Sequence, residues 1–553
     1  MAHGKGELHF YPKEYIPLSP DFSLKTIFLS LPAQKNTIYR HYRSWNPQLK
    51  NMIKKILVAN RGEIAIRVMR SCREMGIQSV AVFSEADRTS MHVRYADEAF
   101  YIGPSPSNES YLVIDNIIEV AKKCKVDAIH PGYGFLSENA EFADRCEKEG
   151  ILFIGPSAYA MNTMGDKITA RRKMQTASVP VVPGTTDPII DIKEAIKTIH
   201  KIGLPVMIKA SAGGGGKGMR LVTKEEDIVS SVSSAKSEAA ASFGNDAVYI
   251  EKYINSPHHI EFQILADKHG NCIHLFEREC SVQRRHQKVV EETPSPIMTP
   301  EVREEMGRHA VAAAKAVNYA GAGTIEFIVD DDLNYYFLEM NTRLQVEHPI
   351  TERVVSVDLV KEQIKIADGE VLQLKQDELR QNGHAIEVRI YAEDPDNNFM
   401  PSPGIIKHIT EPLGLGVRHD GYVYEGYEIP LFYDPMISKL IVWAPSRQEA
   451  IDRMKRALYA YKITGIKTSI PFLSRVMEVP SFVKGKYNTH IIQDNEKYLK
   501  PKKVKSQKLK DVASIAAFVD YLSKLEKHKT LAPAKETGSN WKECGRKKNL
   551  IRL

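Results

Sequence analysis

Gly323-Thr-Ile-Glu-Phe327 and, shortly after it, Tyr336-Phe-Leu-Glu-Met-Asn-Thr-Arg-Leu-Gln-Val-Glu347 are two strand-like stretches, each carrying an acid between hydrophobic residues. Glu326 and Glu339 are costly to bury unpaired, so they need a cation. With Asn341 they make an oxygen-only set, which suits Mg²⁺, an ion that keeps waters and bridges phosphate oxygens. Ion pairing with Arg343 is the structural alternative. Metal-assisted phosphoryl transfer to a small carboxylate-like substrate is the chemistry that such a segment predicts.

Upstream, Lys209-Ala-Ser-Ala-Gly-Gly-Gly-Gly-Lys-Gly218-Met219 packs five glycines and two lysines between strand-like flanks. Glycine lets backbone N–H groups close around phosphate oxygens, and lysine supplies charge. The spacing is not GxxxxGK[ST], so this is not a P-loop. A flexible linker is the alternative, but the flanks favour a phosphate-covering flap, and the flap favours metal over ion pairing at Glu326. Glu251-Lys-Tyr-Ile254 ends a further apolar strand, where an acid can accept from an adenine amino group.

Around these elements the pattern is α/β. Residues 1–51 lack periodicity and read as a disordered leader, or as sequence upstream of a start at Met52. Ile53-Lys-Lys-Ile-Leu-Val-Ala59 then opens the first unit. Over residues 52–165, strands Ile56–Ala59, Ser79–Phe83, Ala128–His130 and Leu152–Ile154 alternate with helical stretches and predict an open, largely parallel sheet. The Asn60-Arg61-Gly62-Glu63 turn is not GxGxxG, so no dinucleotide is assigned there. Residues 166–380 follow, with a lid at about 182–255, then a β-rich unit at 381–495. Residues 496–553 form a basic tail in which Val512, Ile515, Ala516, Val519 and Leu522 recur at helical spacing, the mark of a packing or partner helix.

The chain of 553 residues, 43% hydrophobic and 26% charged, supports several units. Its net charge of +7 comes partly from the ends, so nucleic acid is not implied. Six scattered cysteines argue against disulfides and structural zinc, and no apolar run spans a membrane. A reducing, cytoplasmic location is expected.

The strings Met164-Gly-Asp-Lys167, Lys209–Met219, Gln283-Arg-Arg-His-Gln-Lys288, Glu339-Met-Asn-Thr-Arg-Leu-Gln-Val-Glu-His-Pro349 and Arg389-Ile-Tyr-Ala-Glu-Asp-Pro395 resemble, in order, the biotin carboxylase family over residues 53–495. The resemblance implies an N-terminal open-sheet domain, an ATP-grasp domain with a glycine-rich lid, and a β-rich C-terminal domain. It implies that ATP is held by Lys167, Lys209, Gly215, Gly216, Glu251, Lys252, Tyr253, Ile254, His259, Gln283 and His286. Two Mg²⁺ or Mn²⁺ ions would sit on Glu326, Glu339 and Asn341. Bicarbonate would meet Lys288, Arg343, Gln345 and Val346, with Glu347 as its base, and Arg389 would face biotin. The activity implied is ATP-dependent carboxylation of biotin through carboxyphosphate, the first half-reaction of an acetyl-CoA or other acyl-CoA carboxylase.

His130 and His348 read as structural, and Cys280 as a buried thiol. Arg453-Met-Lys-Arg456 is not a biotinyl site, so biotin is expected on a separate carrier protein, with separate carboxyltransferase subunits and, by family likeness, a homodimer. The alternatives are the corresponding subunit of a pyruvate carboxylase, another ATP-grasp ligase such as half of a carbamoyl phosphate synthetase, or a non-catalytic ATP-binding scaffold. The intact ligand and clamp residues argue against the scaffold.

Overall fold

Residues 53–501 and 506–530, apart from 186, 188, 190, 211–218 and 244–245, are described by a computed structural model of the chain. The leader, and Gly215 and Gly216 of the glycine loop, lie outside the described residues.

The first unit is a five-stranded parallel sheet of β1 (Lys55–Val58), β2 (Gln78–Ser84), β3 (Glu98–Gly103), β4 (Ala128–His130) and β5 (Leu152–Phe153), in the order β3-β2-β1-β4-β5. Ile56 and Val58 enter one apolar cluster and Leu57 another, so both faces are covered, as parallel strands require. The third strand has no counterpart among those expected from sequence, because Glu98-Ala-Phe-Tyr-Ile-Gly103 mixes exposed and half-buried positions at a sheet edge.

The lid is a three-stranded antiparallel sheet of β6 (Val206–Ala210), β7 (Met219–Val222) and β8 (Val248–Lys252), in the order β7-β6-β8. Helices Ile192–Ile202 and Ile228–Phe243 cover it. Ile199, Ile208, Val232 and Ile250 belong to an apolar core of the lid's own. The segment 181–184 bridges it to the rest of the unit, with Val181 paired to Phe337 and Gly184 to Glu251. A Cβ at Gly184 would meet the Ile250 carbonyl at 2.5 Å, so only glycine allows that approach.

An eight-stranded antiparallel sheet carries the rest: β9 (His258–Ala266), β10 (Cys272–Arg284), β11 (Gln287–Thr293), β12 (Gly321–Val329), β13 (Tyr335–Asn341), β14 (His384–Tyr391), β15 (Val417–Gly421) and β16 (Met436–Ala444). Their order is β13-β12-β9-β10-β11-β14-β16-β15. β14 pairs with β11, so the sheet runs unbroken across the boundary placed at 380/381 from sequence. That continuity brings Arg389 beside residues contributed by much earlier segments.

The tail helix spans Ser506–Thr530, and Val512, Ile515, Val519 and Leu522 on it are exposed. No helix among the described residues is long and apolar enough to cross a membrane.

Candidate active site

Two adjoining cavities run along the large sheet, one under the lid and one against the first unit, and they share His259, Gln283, His286, Leu338 and Glu339. The nucleotide-sized end, about 680 Å³, is lined by Lys167, Lys209, Glu251, Tyr253 and Ile254, among others. Glu251 accepts from Arg171 Nη1 at 2.9 Å and from Lys209 Nζ at 2.5 Å, so two cations share one carboxylate. Lys252 turns its ammonium to the carbonyls of Gly203 and Leu204, at 3.0 and 3.1 Å, and its amide to Pro183. His286 and Arg285 form the β10–β11 turn with φ of 66° and 50°, left-handed conformations unusual for residues bearing a side chain.

The second end, about 810 Å³, is built from charges on the large sheet. Lys288 Nζ donates to Glu326 Oε1 and Glu347 Oε1, each at 2.8 Å, and to Glu261, which uses all three of its N–H groups. Burial pushes Lys288 down, but these carboxylates outweigh it and hold it well above the ordinary lysine value. Burial likewise pushes Glu347 up, while Lys288, Arg389 and Arg278 hold it well below the usual carboxylate range. Arg389 closes the group, with Nε donating to Glu291 Oε1 at 2.7 Å and Nη2 to Glu347 Oε2 at 2.9 Å. Glu347 therefore has a cation on each oxygen.

Glu326 and Glu339 are opposite one another in the β12–β13 register. The charge of Glu326 raises Glu339, whereas Glu326, despite burial, is kept ionised by Lys288 and by His259, 2.9 Å away. Asn341 Nδ2 donates to Glu326 Oε1 at 2.8 Å. Two opposed carboxylates and an amide oxygen are a donor set that a hard divalent cation fits, and such an ion would relieve their repulsion. Arg343 does not pair with these acids. Its Nε donates to Glu138 Oε2 at 2.7 Å, Nη1 to Gln345 Oε1 at 2.9 Å and Nη2 to Asn341 Oδ1 at 3.1 Å. Val346 gives its carbonyl to Lys439 Nζ at 2.9 Å.

Several partners are not evident from sequence: Glu261, Arg278, Glu138, Glu291, Tyr133 and Lys439. A signal exists for two of them, since Glu261 and Lys439 are charges inside apolar strands, the pattern that exposes Glu326. The Asn60–Glu63 turn is structural. Asn60 Nδ2 bonds the carbonyls of Pro131 and Tyr133, and Arg61 forks onto Asp87 at 2.6 and 2.7 Å. His130 is buried and pushed down to about 3, and burial pushes the Cys280 thiol well above its usual range, so neither is a catalyst poised at neutral pH.

A lid closing on an antiparallel sheet, with lysines on one side of the cleft and metal-type carboxylates on the other, defines an ATP-grasp ligase. Family models agree along the chain: the biotin carboxylase N-terminal domain matches residues 52–161, the carbamoyl-phosphate synthase L chain ATP-binding domain 166–375, and the biotin carboxylase C-terminal domain 387–494. The chain is 56% identical to biotin carboxylase 1 of Bacillus subtilis over 80% of its own length and 98% of that protein. It is 57% identical to one of the pyruvate carboxylase subunits of Methanothermobacter thermautotrophicus, over 80% of this chain and 90% of that one. The crystal structure of the biotin carboxylase domain dimer of Hydrogenobacter thermophilus 2-oxoglutarate carboxylase, with MgADP and bicarbonate, is 49% identical and superimposes with a TM-score of 0.76 over 82% of this chain and all of that one. This chain belongs to the biotin carboxylase family and is an ATP-dependent carboxylase.

Proposed function

We propose that the charged end of the cleft makes carboxyphosphate from bicarbonate and ATP and then carboxylates biotin, with the labour divided among the residues described above. The observation that carries this reading is Glu347, a wholly buried carboxylate held ionised between Lys288 and Arg389. Glu347 takes the hydroxyl proton of bicarbonate, which Lys288, Arg343, Gln345 and Val346 orient, and the freed oxygen attacks the γ-phosphorus as ADP leaves. Carboxyphosphate then divides into CO₂ and phosphate, phosphate removes the ureido proton of biotin, and Arg389 stabilises the enolate oxygen while the nitrogen adds to CO₂. Lys167, Lys209, Gly215, Gly216, Glu251, Lys252, Tyr253, Ile254, His259, Gln283 and His286 hold ATP. Glu326, Glu339 and Asn341 would hold two Mg²⁺ or Mn²⁺ ions, which neutralise charge on the phosphate oxygens when bound.

Biotin arrives on a separate carrier protein in the cytoplasm, and a separate carboxyltransferase passes the carboxyl group to an acyl-CoA or to pyruvate. Both acceptor classes are supported by the names of similar proteins, a methylcrotonoyl-CoA carboxylase subunit of Rattus norvegicus and the Methanothermobacter pyruvate carboxylase subunit. A homodimer is supported by the dimer of the Hydrogenobacter relative. Bicarbonate-dependent ATP cleavage by the purified chain, with and without free biotin, tests the assignment. Glu347→Gln and Arg343→Ala should each lower it by roughly a hundredfold, and ATPase indifferent to bicarbonate would sink the reading.

A further inference from the structure

Behind Arg389 lies a carboxylate that the mechanism does not use. Glu387 is wholly buried on β14, on the same face as Arg389 two residues on, and among the described residues no group donates to either of its oxygens. It stands directly opposite Glu291 in the β11–β14 register. Such register partners bring their Cβ atoms to within about 5.5 Å. Glu291 gives Oε1 to Arg389 Nε, while its Oε2 is buried with no partner. Three orphaned carboxylate oxygens on facing residues are an arrangement that two anions in a dry interior would not keep.

The charged and titratable groups around Glu387 are Glu291 from β11, Arg389 from its own strand, Lys439 from β16, Glu347, and Tyr133 from the first unit. Lys439 does not neutralise it, because its ammonium donates to the Val346 carbonyl and lies 3.2 Å from Glu63. Arg389 is committed to Glu291 and Glu347. One proton between Glu387 and Glu291 resolves the conflict: a neutral carboxyl is a donor, and the acceptor it faces is the free oxygen of Glu291.

We propose that Glu387 is a positioning residue for Arg389: in its protonated form it donates to Oε2 of Glu291 and so fixes the carboxylate that aims the guanidinium. This inference rests on the reading of Arg389 as the residue that faces biotin. It acts mainly on the second half of the reaction, since Glu387 reaches Glu347 only through Arg389 and Lys288 still holds the other oxygen of Glu347. Burial, reinforced by Glu291, holds Glu387 well above the usual carboxylate range against the opposing pull of Lys439, which agrees with a retained proton at neutral pH.

The test uses the full chain with free biotin as substrate, comparing wild type, Glu387→Gln, Glu387→Leu and Arg389→Gln, and reading biotin-dependent turnover separately from bicarbonate-dependent ATP cleavage without biotin. An amide can still donate to Glu291, so Glu387→Gln should stay within about twofold of wild type, whereas Glu387→Leu, which cannot donate, should lose roughly tenfold in biotin-dependent turnover. Its biotin-free ATP cleavage should stay within about twofold. Wild type should also lose biotin-dependent turnover on the alkaline side as Glu387 gives up its proton, and the limb should move to higher pH in Glu387→Gln. Wild-type biotin kinetics in Glu387→Leu, an equal loss in both Glu387 variants, or an unmoved alkaline limb in Glu387→Gln overturns the proposal. If Glu387→Leu does not fold, the limb comparison decides alone. Full biotin carboxylation by Arg389→Gln would instead overturn the reading of Arg389.

Discussion

At the lid end of the cleft two cations, Arg171 and Lys209, share one carboxylate, Glu251; at the sheet end three carboxylates, Glu261, Glu326 and Glu347, share one ammonium, Lys288. The inversion matches what each end must receive. Surplus positive charge under the lid suits a polyphosphate, and surplus negative charge on the sheet suits divalent ions and proton removal. The two ends also differ in how firmly they are made. The lid has a small core of its own, while the sheet charges are buried in a continuous eight-stranded scaffold.

This contrast can be broken most severely at Lys288. Lys288→Met removes the one ammonium that three buried carboxylates share, and bicarbonate-dependent ATP cleavage should fall roughly a hundred- to a thousandfold in a phosphate-release assay. Arg278 comes next. It is fully buried and donates to Glu261 at 2.5 Å, to Gln263 at 2.7 Å and to Thr351 and Thr324, so Arg278→Met should cost about 3–5 kcal/mol in urea unfolding.

Glu292, beside Glu291 on β11, gives a pH signature of the sheet. Burial pushes it up, but hydrogen bonds from His384 and Arg447 outweigh this and bring it down to about 2. A depressed folded value means that its stabilisation, about 3 kcal/mol, is complete above about pH 4.5 and is lost as pH falls toward 2. The stability gap between wild type and Glu292→Gln should close over that window in urea titrations.

The lid should yield less. Arg171→Ala leaves Lys209 still on Glu251 and should raise the KM for ATP about three- to tenfold with little change in kcat. Smallest of all, removing the half-exposed lid pair Arg220–Glu238, 3.3 Å apart, should shift stability by less than about 0.5 kcal/mol. A large loss from either change at the lid end, or a small one at Lys288, would undo the distinction between the two ends.

The parts legible in sequence are those whose physics is local. Strand periodicity locates β1, β2, β4 and β5 to within about one residue at each end, and acids inside apolar runs mark Glu326 and Glu339. Edge strand β3 escapes such a reading because an edge lacks the full alternation that burial imposes. Glu138 is invisible because its partner, Arg343, lies 205 residues away. The tail stretch is helical as its spacing indicates, yet spacing alone does not say what its exposed apolar side chains face.

By itself, then, the sequence determined the residue types of the cleft, the order of its units and its family, since these are written in short motifs and periodicities. Only the tertiary structure decided who pairs with whom: that β14 joins β11, that Lys288 serves three carboxylates, and that Glu387 faces Glu291 behind Arg389. The reason is that burial and hydrogen bonding between strands depend on register, and register across a sheet assembled from distant segments is a property of the whole fold.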